Sequence, residues 1–593
     1  MSDWAHSFTL LACALLFSPT APSQQSVPKG ADALVGLWGS EQIIAPMVSG
    51  ELTLDARVSS WRANIGGFTL PVEHSGNIVT FTVPDNQGEY RGQLAANPKR
   101  IRGHWIQPAS INPYQQRYAS PVVLSEITPG IWRGTVVPLQ YRISFYISIQ
   151  RAEDGKLTAF IRNPEANFFS GRTYGVELSG DTLTLSPPTV PEQGTYDAQS
   201  DRLLIPLLNS YPPLAFTRRK KNEAIGFFPR TTPEKNKYIY RRPISERDGW
   251  STASLSDVGM DAKKLEEFLE EILKAVPSPE NPVNIHSLLI ARHGKLVLEE
   301  YFYGFDKERP HDMRSASKTI APVLVGIARD RGVKISPETP VSTLFATYVP
   351  LANQDERKSK MKLEDLMNMA SGLAIDDADS SSPGEESHMQ EQSEPDWCRY
   401  TLNLPMVRDP GGDYPIYGSA NINLVGCAVR NATGRWLPEL LDEYFARPLQ
   451  INSYYMNLMP NGEAYAGGGL YMRPRDQLKL GQLYLSEGVW NGRVVVSREW
   501  VKRSTLRHGD MKPRMDIDVK HGYGYAWHFR AHKANGQTIH YYWAAGNGGQ
   551  LIIVIPELDM VVGFTGGDYA QFRKYLRWEI ELMPRYIFPA VVH

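Results

Sequence analysis

At 593 residues, with 42% hydrophobic and 21% charged, the chain has length for several domains and too much apolar material for a mainly disordered state. Lys plus Arg (63) against Asp plus Glu (64) gives a formal charge of -1, which excludes a bulk basic field for nucleic acid or an anionic membrane surface. Three cysteines and no paired CxxC spacing exclude a disulfide framework and a zinc-ribbon scaffold.

Phe8 to Phe17 is an apolar run, too short to cross a hydrocarbon layer of ~30 Å. Ser18 to Ser23 is small and proline-containing, and Ala21-Pro22-Ser23 suits signal peptidase cleavage before Gln24. Residues 1–23 therefore read as a secretory signal peptide and predict a periplasmic or secreted protein, although MSDWAHS carries Asp3 and no Lys or Arg. Export leaves Cys398 and Cys427. Cys427 sits in an apolar helix-like run, so two unpaired buried thiols are expected.

From Leu34 to about Arg219 the pattern is β throughout. Alternating runs such as Tyr141 to Ile149 are separated by turns such as Asp154-Gly155 and Gly180-Asp181. Gly36-Leu-Trp38-Gly39 is echoed by Gly130-Ile-Trp132-Arg-Gly134, which predicts tandem antiparallel modules over 31–125 and 126–230. One large sandwich is the alternative. No catalytic constellation is visible here, so the modules are assigned support or the binding of an unknown ligand. Residues 231–250 read as a linker.

After Trp250 the texture becomes α/β. Asp261 can cap a helix to about Ala275, and strands His286–Arg292 and Lys295–Tyr303 follow. Helices dominate from Ser315 to about Leu485. Strands return at Tyr523–His532, Thr538–Trp543, Gln550–Ile555 and Met560–Thr565, before a helix from about Tyr569. Residues 251–593 thus predict one antiparallel sheet flanked by helices, with a helical insert.

The chemistry concentrates at Ser315-Ala-Ser-Lys318, which opens the apolar stretch Ile320 to Ala328. In a helical first turn, residues i and i+3 share a face, so the Ser315 hydroxyl and the Lys318 amine can meet. A lysine in an apolar pocket is easier to deprotonate and can take the serine proton. The other S-x-x-K copies, at Ser26 and Ser359, lack an apolar helix behind them. Pro322 argues against a regular helix continuing from Ser315.

Residues from about Trp250 onward resemble the serine β-lactamase-related hydrolases: class C β-lactamases, D-alanyl-D-alanine carboxypeptidases, esterases and 6-aminohexanoate-dimer hydrolases. The resemblance rests on ordered segments: His286–Tyr301, Ser315–Lys318, Leu363–Leu373, Pro410–Gly426, Gly467–Asp476 and Trp490-Asn-Gly-Arg. It implies a β-lactamase/transpeptidase-like domain in which Ser315 is the nucleophile, Lys318 its activator and Tyr417 the proton shuttle. It also implies an oxyanion hole from the backbone N–H groups of Ser315 and Asn547, with Ser419, Ala545 and Gly546 against the substrate. Two positions depart from the family. Ser419 replaces the expected asparagine, and Ala544 replaces the cation of the third motif.

Those departures favour the ester/amide branch over β-lactamase or carboxypeptidase chemistry, because that cation helps hold a substrate carboxylate. The implied partner is a small-molecule ester or amide, with no metal, no organic cofactor, no nucleic acid and no membrane span. The rival reading is a catalytically silent binding or regulatory protein on the same fold. Absence of G-x-S-x-G excludes the α/β-hydrolase elbow. His528, His532 and His540 are expected as structural or rim residues. Asp376 to Asp396 holds eight acids and no Lys or Arg. It forms either a mobile acidic lid disfavouring anionic substrates or a solvated loop.

Overall fold

The computed structural model describes residues 30–592, apart from 58–59, 96–98, 110–115, 187–191, 211, 231–237, 281–283, 413, 512–519 and 535. The expected signal segment 1–23 lies outside the described residues.

Strand β1 (Gly36–Ile44) closes an eight-stranded antiparallel barrel with the strands between Tyr141 and Arg218. Its ladder runs from Gly36 opposite Ile149 to Ile44 opposite Tyr141, and its other edge meets Leu214–Arg218. Alternation places Phe145, Ile147 and Ile149 inside with Trp38. Trp38 Nε1 donates to Leu34 O at 2.8 Å, and the Arg218 guanidinium lies 4.2 Å from the indole centroid. A second sheet of twelve strands has nine between Gly50 and Val136, one of them β2 (Arg117–Thr128), around Trp105 and Trp132, and takes three short strands from the carboxyl-terminal domain.

The two tryptophans of the echo therefore sit in separate β cores. Strand membership does not divide sequentially at 125/126, however, because β1 leaves its neighbours and joins strands beyond residue 141. Barrel closure requires the first and last strands to meet, and no local turn signal reports that pairing.

The carboxyl-terminal domain has the sheet flanked by helices that its sequence predicts. Its inner strands include β3 (Ile285–Arg292) and, later in the chain, β4 (Gln537–Gly546), β5 (Gln550–Ile555) at the centre and β6 (Met560–Gly566). The nine-stranded order is Ser251–Thr252, Lys295–Tyr301, β3, β6, β5, β4, Trp527–Ala534, His521–Gly524 and Gly509–Met511. Only the short Ser251–Thr252 pairing is parallel. Every residue of β3 and β5 is buried, because both sheet faces carry cores. One face holds α1 (Ala262–Leu273), capped by Asp261, which accepts from Lys263 N at 2.8 Å. The other holds α2 (Ile320–Asp330), α3 (Trp397–Asn403), α4 (Ser419–Thr433) and α5 (Pro474–Leu485).

Cys398 on α3 and Cys427 on α4 form a disulfide, with Cα atoms 6.7 Å apart. This corrects the expectation of two unpaired thiols. The apolar run around Cys427 is indeed buried, but α3 packs directly on it and brings the second sulfur to the same place.

Among the contacts that bind the β region and the following segment to this domain, three bear on the site. Strand β2 extends its ladder onto Tyr454–Leu458, with Ala119 opposite Met456. The segment before Trp250 is strapped down: Tyr240 Oη donates to Val297 O at 2.8 Å, and Asp248 pairs with buried Arg475 at 2.8 Å. The third contact is the barrel loop 162–172, described below. Among the described residues no helix is long and apolar enough to cross a membrane.

Candidate active site

The site lies where the loop after His311–Asp312, the start of α4 and the turn between β4 and β5 converge. Arg314–Thr319 forms a 3₁₀ turn, and the α-helix begins at Ile320. Pro322 thus falls in the first helical turn, where its missing N–H costs nothing. The 3₁₀ geometry eclipses residues i and i+3. Lys318 Nζ accordingly lies 2.8 Å from Ser315 Oγ. Lys318 is 1% exposed, whereas Ser315 is open enough to be reached.

Arg314, just before the serine, has a φ of 46°, a left-handed value uncommon for a long side chain. Asp312 holds it there. Its Oδ1 accepts from Arg314 N at 2.8 Å, and Oδ2 pairs with the guanidinium at 2.9 Å.

Tyr417 stands on the other side of the lysine, whose Nζ is 5.2 Å from the phenol ring centroid. Tyr523 and His528 flank Tyr417 at centroid distances of 6.4 and 6.5 Å, and His528 stacks on Trp543. Of the three histidines singled out in sequence, only His528 reaches the site. His540 pairs with Glu557 at 2.9 Å, and His532 lies against Phe588.

On β4, Gly546 abuts the nucleophile turn: a Cβ there would lie 2.3 Å from Met313 O and 3.1 Å from Ala316 N. Ala544, two residues earlier, is wholly buried on the same face, so a methyl fills the place of the family's cation. Ala545 points the other way by strand alternation and packs on the far core, leaving only its backbone near the site. Beyond Gly546 the turn 547–549 leads into β5. Among the described residues, the Ser315 and Asn547 N–H groups are not used in the surrounding turn and ladder bonds.

Ser419 turns inward. It is fully buried, and its N–H and Oγ donate to Asp377 Oδ2 at 2.8 and 2.7 Å. Asp377 N in turn donates to Tyr417 O at 2.9 Å. One aspartate therefore brackets Tyr417-Gly418-Ser419 on both sides. Burial pushes its carboxyl up to about 6, Glu386 pushes the same way, and Lys318 pulls it down.

Asp377 was not singled out individually in sequence. It belongs to the acidic stretch read as a lid or loop, and the stretch is built into the fold. Glu385 caps a helix at Glu386–Glu391, Glu386 accepts from Tyr465 Oη, and Asp396 caps α3 while accepting from Tyr348 Oη. The usable signal was Ser419 itself, since a hydroxyl at a buried helix start needs an acceptor.

A lysine thus meets a serine within one turn, with a tyrosine ring and a glycine of β4 beside them, on a β-lactamase-like fold. A family model described as Beta-lactamase matches residues 286–580. The 6-aminohexanoate-dimer hydrolase of Paenarthrobacter ureafaciens is 27% identical over 242 residues, 39% of this chain. The match spans 59% of that relative's length. A solved Bacillus anthracis protein assigned as a 6-aminohexanoate-dimer hydrolase covers 62% of this chain and 91% of its own, with 16% identity and a TM-score of 0.42. A family VIII carboxylesterase covers 48% and 86%, with 16% identity and a TM-score of 0.39. Residues 286–580 thus carry a Beta-lactamase domain, and the matched names are those of hydrolases.

Proposed function

We propose that the protein cleaves a small ester or amide through an acyl-enzyme at Ser315. The observation that carries this reading is the 2.8 Å contact between Ser315 Oγ and buried Lys318. The serine proton passes to the Lys318–Tyr417 pair as Oγ attacks the acyl carbon. The N–H groups of Ser315 and Asn547 receive the oxyanion. Tyr417 returns the proton to the departing alcohol or amine, and water then releases the acid by the same route in reverse.

Ala544 and the committed Ser419 provide no cation and no free amide, which favours substrates without an obligatory carboxylate. The Cys398–Cys427 bridge supports an oxidising compartment, periplasmic or secreted. The test is labelling with a fluorophosphonate probe followed by intact mass, beside Ser315→Ala. One adduct, lost in the variant, is expected. No adduct on folded protein would replace this reading with that of a binding protein.

A further inference from the structure

The barrel loop after Leu157–Arg162 enters the carboxyl-terminal domain next to the β4–β5 turn. Asn284 Nδ2 and His286 contact Pro164 O at 2.9 and 2.8 Å, and Arg162 reaches Asn284 Oδ1 at 3.2 Å. A Cβ on Gly567 would lie 2.6 Å from the same carbonyl, so the two backbones touch. At the tip, Asn167 is 4% exposed and has a φ of 53°, a left-handed conformation that asparagine tolerates better than most residues.

From Asn167 a continuous set of hydrogen bonds leads to the turn. Asn167 Nδ2 donates to Asp568 Oδ1 at 2.8 Å, and Gln571 Nε2 donates to Asn167 O at 3.1 Å. The 568–571 segment then grips the turn: Asp568 N donates to Gly548 O at 3.2 Å, and Ala570 N donates to Asn547 Oδ1 at 2.9 Å. One anchor falls on Asn547, whose N–H would be the second oxyanion donor, and the other on Gly548 beside it. Asp568 is fully buried, so its carboxylate has few alternatives to the Asn167 amide.

We propose that Asn167 of the β-barrel is a positioning residue for the oxyanion turn, acting through Asp568, so that the amino-terminal barrel is a working part of the active site. This rests on the acyl-enzyme reading above. A backbone donor contributes to the transition state only when fixed in place, and small displacements are costly. The loop supplies that fixation from outside the hydrolase domain.

The test uses the full-length protein and p-nitrophenyl acetate, with Ser315→Ala run alongside. Asn167→Ala should lower kcat about tenfold with KM within about twofold, because the lost contact acts on the transition state. Asn167→Asp should be worse, as it sets two carboxylates face to face. The double variant Asn167→Asp/Asp568→Asn restores the bond with its polarity reversed and should recover most of kcat. Should Asn167→Ala fail to fold, Gln571→Ala removes only the second bond and should give the same split more weakly. Unchanged kcat in Asn167→Ala or Gln571→Ala, or no recovery in a folded double variant, would overturn the proposal. Undiminished turnover by Ser315→Ala would instead overturn the acyl-enzyme reading.

Discussion

Asp377→Asn separates charge from shape at the base of Tyr417. The carboxyl is pushed from its ordinary 3.8 up to about 6 in the folded protein. A raised acid opposes folding once ionised. The penalty is absent well below the unfolded value, grows between pH 4 and 6, and is complete above the folded value. Integrating that linkage, the penalty is about 2 kcal/mol larger at pH 7.5 than at pH 4.5. Asparagine can still accept both Ser419 bonds through its carbonyl, and it does not titrate. The melting-temperature difference, variant minus wild type, should therefore rise by about 4 °C from pH 4.5 to 7.5 for a domain this large. Scanning calorimetry at both pH values reads it, and subtracting the wild type cancels the acids that do not interact with Asp377. Hydrolysis supplies the second readout: Asp377→Ala, which also frees Ser419, should lose about tenfold or more in kcat, whereas Asp377→Asn should lose little. An identical difference at both pH values would refute the assignment of the buried charge. Equal activity in Asp377→Ala and wild type would refute the clamp.

Gly546→Ala would place a methyl 2.3 Å from Met313 O, so it should abolish probe labelling of Ser315 while circular dichroism stays native. Cys398→Ser removes a bridge across 29 residues and should lower stability by about 3 kcal/mol, read as a drop in melting temperature that reducing agent reproduces in the wild type.

Sequence carried the hydrolase domain further than the β region for a physical reason. The apolar helix behind Ser315, the alternating strands and the caps are short-range patterns, and the Ser315–Lys318 contact is built within a single turn. Tyr417 needed the resemblance, since spacing alone does not bring residue 417 to residue 318. What escaped was set by long-range closure. Strand β1 pairs a hundred residues ahead, the partner of Cys427 arrives on another helix, and Asp377 turns inward from a stretch that reads as solvated. The Ala545 side chain turns to the far core and Ser419 turns to Asp377, because a motif fixes the backbone position and neighbouring packing decides where each side chain points.

The departures from the family are also linked to one another. An asparagine two residues after the tyrosine would offer an amide into the site, whereas Ser419 spends its hydroxyl on Asp377 and hands over a buried negative charge felt by Lys318. Glu386, which pushes the same carboxyl up, holds Tyr465 close to Gly468, the glycine facing Arg314. Opposite, the β4–β5 turn is braced by Asp568 and, through it, by a loop of the barrel. The nucleophile turn packs against β4 and α4, and each of these is braced at its end by a buried acid, Asp568 beside the β4–β5 turn and Asp377 beside Tyr417. Neither acid belongs to the motif that identifies the domain, and each acts through backbone it fixes. Changes in specificity within this architecture can then arise from the bracing while Ser315, Lys318 and Tyr417 stay constant.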